Sequence, residues 1–344
     1  MGGRSLRSPV RTIGITSAAL SLIVFAPGAA SATSAVSATS SASGSSTCRS
    51  VDLPVPTGTT ESAVYGGDPS GRYLVGVGFR SGGSDGLRWV GGRLRPIDQR
   101  PLEPYLQVQF NAVNSSGEIV GYRMTNASSF HTDAFIYRDG RFTLLPAPSP
   151  GYATEALAIN ARGDVVGIAT GSDGQIPVEW SIGRHGAVVR VLATPSGDAA
   201  IASGIDTNGA VAGYLISPTA TIPYVWPAHG TPHSLPVPPG STYGVAYAVS
   251  GGMAVGDVID PTTGTSELAE WNLRTGRLKT WPNVEGQALS INHQGTIGVA
   301  GGELVHRDGR IVPVTGWVYT VSDRGTAAGT TNFFTGRAVQ WLGC

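Results

Sequence analysis

Charge is scarce in this sequence, and charge of one kind is nearly missing. Charged residues make up 13% of the chain, and Lys279 is the single lysine among 23 basic residues. Long surface helices need charged residues on their outer side, so a chain this poor in them is not built from such helices. The preference for arginine over lysine is the codon bias of a high-GC bacterial gene. Acids and bases balance at 23 each, which leaves no basic surface for nucleic acid. Cysteine occurs only at Cys48 and Cys344. No P-loop, no Gly-x-Ser-x-Gly elbow and no calcium loop is present. The sequence therefore asks for no metal and no cofactor, supplies no catalytic residue, and reads as a chain that is not an enzyme.

Glycine is plentiful, at 49 residues, and proline follows at 23. With 41% hydrophobic residues, including seven Trp, this composition suits many short strands joined by tight turns rather than disorder. Residues 1–32 read as a signal peptide. Arg4, Arg7 and Arg11 form a positive start, Ile13 to Ala26 an apolar stretch, and Ala30-Ser31-Ala32 a small-residue cleavage site. The apolar run is too short for a good membrane anchor, so release into the extracellular medium is expected, with no membrane insertion. Removing three arginines leaves a net charge near −3. Residues 33–47 are almost pure Ser, Ala and Thr and read as a flexible tail. Residues 48–344 form the folded domain.

Within that domain one turn recurs: Asp68-Pro-Ser-Gly71, Asn114-Ser-Ser-Gly117, Asn160-Ala-Arg-Gly163, Asp206-Thr-Asn-Gly209, Asn292-His-Gln-Gly295 and Ser322-Asp-Arg-Gly325. Ser250-Gly-Gly252 is a shorter copy. The first residue can cap its own turn, and the glycine can adopt the positive φ that closes it. An apolar run ending in glycine follows each turn: Gly76, Gly121, Gly167, Gly213, Gly256, Gly298 and Gly329. Next comes a strand centred on a ring: Trp89, Tyr137, Trp180, Trp226, Trp271, His306 and Trp341. A Leu/Val-Pro stretch completes the unit. Repeated units of four short antiparallel strands make propeller blades, and the spacing predicts an all-β, seven-bladed β-propeller. The ring series is expected to pack blade against blade.

The last unit stops at Trp341-Leu-Gly-Cys344 without a fourth strand, while Cys48-Arg-Ser-Val-Asp-Leu-Pro-Val-Pro56 reads like the fourth strand of the other units. The N-terminal segment is therefore expected to close the last blade through a strand at 51–55, which removes an open sheet edge. Cys48 and Cys344 would then meet, and in an exported chain they would form a disulfide.

The stretch Asp133-Ala-Phe-Ile-Tyr-Arg-Asp-Gly-Arg-Phe-Thr-Leu-Leu145, with Ala156-Leu-Ala-Ile-Asn-Ala-Arg-Gly-Asp-Val-Val-Gly167, resembles the HAF-type extracellular repeat family. Asp133 stands where the family has histidine, and His131 lies two residues earlier. The resemblance covers residues 60–341 and implies a secreted propeller without naming a reaction. The order of signal peptide, tail and propeller is also similar in plan to the propeller adaptor of secreted umbrella toxin particles. That likeness implies protein partners, toxin-complex subunits among them, reached through the tail and a loop face.

Length variation falls on one face. Pro96 to Gln109, Thr125 to Thr132, Ile259 to Ser266 and Thr331 to Thr335 lie on the side opposite the uniform turns, and such insertions mark a binding face. Those loops carry Tyr105, Phe130, His131, Phe333 and Phe334, candidate anchors for a protein partner. His229 and His233 are four apart, but Pro227, Gly230 and Pro232 forbid the helix that would align them on a metal. Glu179 and Glu270 each precede a blade Trp and are expected to face solvent on outer strands. The expected function is a secreted, non-enzymatic interaction module, an adaptor or scaffold. The alternatives are a hydrolase or lyase on polysaccharide or lactone, which needs acids converging on the axis, and a lectin.

Overall fold

The structure is a computed structural model that describes residues 48–344, apart from 127–130, 173, 185, 196–197, 285 and 333–334. The expected signal peptide and tail, with Phe130, Phe333 and Phe334, lie outside the described residues. Among those described there is no α-helix, and strands alternate with tight turns throughout.

The strands form antiparallel four-stranded meanders, each in sequence order. Four separate sheets span 153–191, 199–234, 244–281 and 287–313. The units 61–94 and 107–144 join into one eight-stranded sheet through a single parallel bridge, Ser84 to Gln107. The remaining sheet takes three strands from 317–342 and its fourth from Arg49–Asp52. That strand pairs antiparallel with Ala338–Leu342 in the register Arg49 to Leu342 through Asp52 to Val339. It begins two residues earlier than expected and ends three earlier, at Asp52, because Leu53 already turns inward: it is 5% exposed and packs with Val64 and Trp89. Cys48 and Cys344 are disulfide-bonded, with Cα atoms 4.8 Å apart.

The first strand of every unit carries a β-bulge at an equivalent place. The bulged residues are Tyr65, Asn111, Leu157, Ser203, Tyr247, Leu289 and Tyr319, each squeezed between two paired neighbours. A bulge bends its strand and re-aims one side chain. It also explains the strand-ending glycines. Gly167 pairs with Ala156 directly beside the bulge, and a Cβ there would collide with the backbone oxygen of Glu155. The same collision is built at Gly76, Gly121, Gly213, Gly256 and Gly329.

The Trp series packs between sheets as expected. Trp89, Trp180 and Trp271 are fully buried, and Trp226 and Trp341 nearly so. Each of four indoles also donates its Nε1–H to a backbone carbonyl in the segment that leads into its own unit. Trp89 bonds Pro54 at 2.7 Å, Trp180 Pro146 at 2.8 Å, Trp226 Ala193 at 2.7 Å and Trp271 Pro236 at 2.7 Å. In three of these four the acceptor is the proline of the repeat's Leu-Pro stretch, and in the fourth it is Ala193, which follows Leu192.

Candidate functional site

Two regions offer binding chemistry: a central cavity and a lateral groove. The first strands of all the units line a cavity of about 250 Å³. Six of the bulged residues face it, with Tyr65 and Tyr247 the largest. Toward the turns the wall is made of small and aliphatic residues such as Ala112, Ile159, Ile205 and Val249, and it ends at His293 and Asp323. His293 Nδ1 lies 3.1 Å from Asp323 Oδ2, while the His293 backbone N–H donates to Asp323 Oδ1 at 2.9 Å.

The turn side is locked. Asn114 Nδ2 donates to the Asn160 carbonyl at 3.1 Å, Asn160 Nδ2 to the Asp206 carbonyl at 3.3 Å, and Asn292 Nδ2 to the Ser322 carbonyl at 2.8 Å. The Gly252 backbone N–H donates to Asp206 Oδ2 at 3.1 Å, and the Asp323 N–H to the Pro69 carbonyl at 2.8 Å. The Asn Oδ1 atoms meanwhile cap their own turns, as Asn160 does for Arg162 and Asp164.

Where the strands begin, one carboxyl is buried and a second is half-buried. Asp257 is 4% exposed, and burial pushes its carboxyl up to about 7, against the pull of hydrogen bonds from Ser266 and Tyr247. Its Oδ2 accepts from Ser266 Oγ at 3.1 Å, while Oδ1 has no partner of good geometry. Tyr214, Tyr243 and Tyr247 surround it. Burial drives the hydroxyls of all three up, and the neighbouring Asp257 charge adds to the shift. Gln287 reaches in from the following unit, its Nε2 donating to the Tyr247 hydroxyl at 2.9 Å. Glu155 is the second case: burial raises its carboxyl to about 7, opposed by a hydrogen bond from Thr132.

The groove lies on the unit 61–94, whose outer strand is only Arg93–Leu94. Past it, side chains cover the exposed edge. The Gly86 backbone N–H donates to Gln99 Oε1 at 3.0 Å, and Gln99 Nε2 returns a bond to the Gly86 carbonyl at 2.9 Å. The groove holds about 290 Å³ and is lined by Leu87, Leu94, Pro96 and Ile97 with Asp98, Arg100 and Tyr105. Tyr105 donates to Asp85 Oδ1 at 3.1 Å, and Asp85 Oδ2 holds Arg80 Nε at 2.7 Å. Partial burial beside that carboxylate pushes the Tyr105 hydroxyl up to about 12.

The sequence candidates separate. Tyr105 belongs to the groove, half-buried and hydrogen-bonded. His131 lies apart from it, with Nε2 3.3 Å from Asp133 Oδ1, and Asp133 Oδ2 is held by Arg123 at 3.0 Å. Glu179 and Glu270 sit on third strands rather than outer ones, and Glu179 is ion-paired with Arg190. His233 bonds the Thr231 carbonyl at 3.0 Å, and no cluster of metal-ligating side chains occurs among the described residues. Asp257 and Glu155 escaped sequence reasoning. A signal existed for Asp257: it occupies the slot after the strand glycine that holds Val77, Tyr122, Ile168, Tyr214, Val299 or Thr330 in other units.

No family model and no curated protein matches the chain. Solved structures do. The β-propeller domain of the trilobed protease from Pyrococcus furiosus superimposes with a TM-score of 0.53 at 14% identity, over 83% of this chain and 96% of that one. A prolyl endopeptidase aligns at 0.47 and 15% identity, over 79% of this chain and 40% of that one. A gluconolactonase from Xanthomonas campestris aligns at 0.42 and 12%, over 86% and 88%. The first of these, with the four-stranded sheets, establishes a β-propeller fold. The expectation that the chain is not an enzyme is corrected: the propeller that superimposes on it is a domain of a protease. No helix among the described residues is long and apolar enough to cross a membrane, and the disulfide is consistent with an extracellular location.

Proposed function

We propose that the chain is a secreted seven-bladed propeller that serves as an extracellular interaction module, holding a protein partner on its loop side. On this reading the units 61–94 through 317–342 are successive blades, and Arg49–Asp52 completes the last. The observation that carries the proposal is the inequality of the two faces. The turn side is tied sheet to sheet through Asn114, Asn160, Asp206 and Asn292. The other side varies in length and bears a groove with an apolar floor and a charged rim, the composition of a protein-binding anchor site. The expected partner is another secreted protein, such as a subunit of a toxin assembly. Arg100→Glu, on the exposed rim of the groove, is the test: it should abolish capture of the partner while leaving the melting temperature unchanged.

One observation favours a second reading, a hydrolase or lyase acting on extracellular polysaccharide or lactone. A carboxyl that titrates near neutrality among tyrosine hydroxyls is suited to general acid–base work, and Asp257 is such a group. Turnover of a lactone or polysaccharide by the native chain, lost in Asp257→Asn with the fold intact, would support it; unchanged turnover in that variant would exclude Asp257.

A further inference from the structure

The boundaries between neighbouring units are tied in three recurrent ways: an indole bond to the connecting segment, a bond from a turn residue, and backbone pairing. Indole bonds cross at Trp89, Trp180, Trp226 and Trp271. Turn bonds cross from Asn114, Asn160 and Asn292, between Gly252 and Asp206, and between Asp323 and Pro69. The boundary between 61–94 and 107–144 has neither, but there the two sheets are continuous and the Ser84 N–H donates to the Leu106 carbonyl at 3.2 Å.

The boundary between 244–281 and 287–313 is different. Its ring slot holds His306 instead of Trp, with Nε2 buried and without a partner. Its turn is the shortened Ser250-Gly-Gly252, and among the described residues no bond from Ser250 reaches Asn292. Among the described residues of these two units, Asp257 Oδ1, Trp281 Nε1, Gln287 Oε1, Ser290 Oγ and His306 Nε2 are buried without a hydrogen-bond partner of good geometry. Each such atom costs the folded state part of its lost hydration. The strands of 287–313 are also short, at five, four, three and three residues. What remains among the described residues is the apolar cluster of Val255, Leu268, Val284, Ile291 and Val305 and the bond from Gln287 to Tyr247.

We infer that the propeller ring opens first along the boundary between 244–281 and 287–313, and not at the disulfide-bonded boundary where the chain ends meet. The inference rests on the closed ring proposed above. It makes this boundary a hinge beside Tyr247 that widens the central cavity on one side while the rest of the ring stays closed. Ionisation biases the hinge. The groups facing Asp257 are Tyr214 from the preceding unit and Tyr243, Tyr247 and Ser266 from its own, with Gln287 behind Tyr247, and none is a cation. Its charged form is therefore left uncompensated at this boundary.

Native-state hydrogen exchange on the disulfide-intact chain tests this. Amides of 287–313 should exchange faster than those of 153–171 by on the order of tenfold, the equivalent of one missing buried hydrogen bond. Their rate should climb between pH 6 and pH 8 by more than hydroxide-catalysed exchange itself gives, and Asp257→Asn should remove that excess. Protected amides at 49–52 with no faster exchange in 287–313 would overturn the inference and leave the closed ring standing. Fastest exchange at 49–52 and 338–342 would overturn both.

Discussion

The side-chain amide of Asn292 spans two sheets: Oδ1 accepts the backbone N–H groups of Gln294 and Thr296 within its own turn, and Nδ2 donates to the Ser322 carbonyl at 2.8 Å. Asn114 and Asn160 are placed in the same way. A residue type chosen for closing a turn thus also fastens neighbouring sheets, which an aspartate in its place could do only as an acceptor.

Asn292→Asp separates these roles, because it keeps the turn-capping oxygen and removes the donor. Urea unfolding should show a loss of about 1–2 kcal/mol, the cost of leaving the buried Ser322 carbonyl without its bond. Stability equal to that of the parent chain would mean that the cross-sheet bond carries no weight.

The indoles provide a paired comparison. Trp180 donates to Pro146, whereas Trp341 is equally buried and its Nε1 has no partner. Trp180→Phe should cost roughly 1 kcal/mol more than Trp341→Phe, since both lose the same volume but only one loses a hydrogen bond. Equal losses in denaturant titrations would refute the assignment.

The disulfide closes a loop of 296 residues, so its removal should matter. Cys344→Ser, or reduction, should lower stability by about 2–5 kcal/mol, read as a drop in melting temperature in parallel oxidised and reduced scans. Superimposable scans would show that strand pairing alone holds the ends.

Stability should also depend on pH through Asp257 and Glu155. Both hold their protons more tightly in the folded chain, near pH 7, than in the unfolded one, near 3.8 and 4.5. Their contribution is complete below pH 4 and is lost as pH rises through 7. Urea unfolding from pH 4 to pH 8 should show that decline, and Asp257→Asn with Glu155→Gln should flatten it. An unchanged slope in the double variant would place the effect elsewhere.

Much of the fold was legible because its signals are local. Turn residues, strand glycines and the ring series recur within each unit, and the missing fourth strand after Trp341 pointed to Cys48-Arg-Ser. What escaped reading depends on distance and burial. The amide of Asn160 bonds a carbonyl 46 residues away, and nothing near Asn160 announces that partner. The glycines were visible as strand ends, but their cause, a bulge on the neighbouring strand, is a property of pairing. Aromatic loop residues drew attention to Tyr105, yet the groove around it depends on an outer strand reduced to Arg93–Leu94. Asp257 stands out as an acid in a slot that is uncharged elsewhere, but its character comes from Tyr214, Tyr243 and Tyr247, which two different units bring around it.

The central claim is that the loop side of this propeller holds a protein partner. The direct measurement is affinity purification of the oxidised, full chain from the culture medium of the producing cells, beside Arg100→Glu, with the co-purifying proteins quantified. One secreted protein should co-purify near equimolar ratio with the parent chain and be lost from the variant, which should melt at the same temperature. A parent chain that purifies alone, or a partner retained in full by Arg100→Glu, would contradict it.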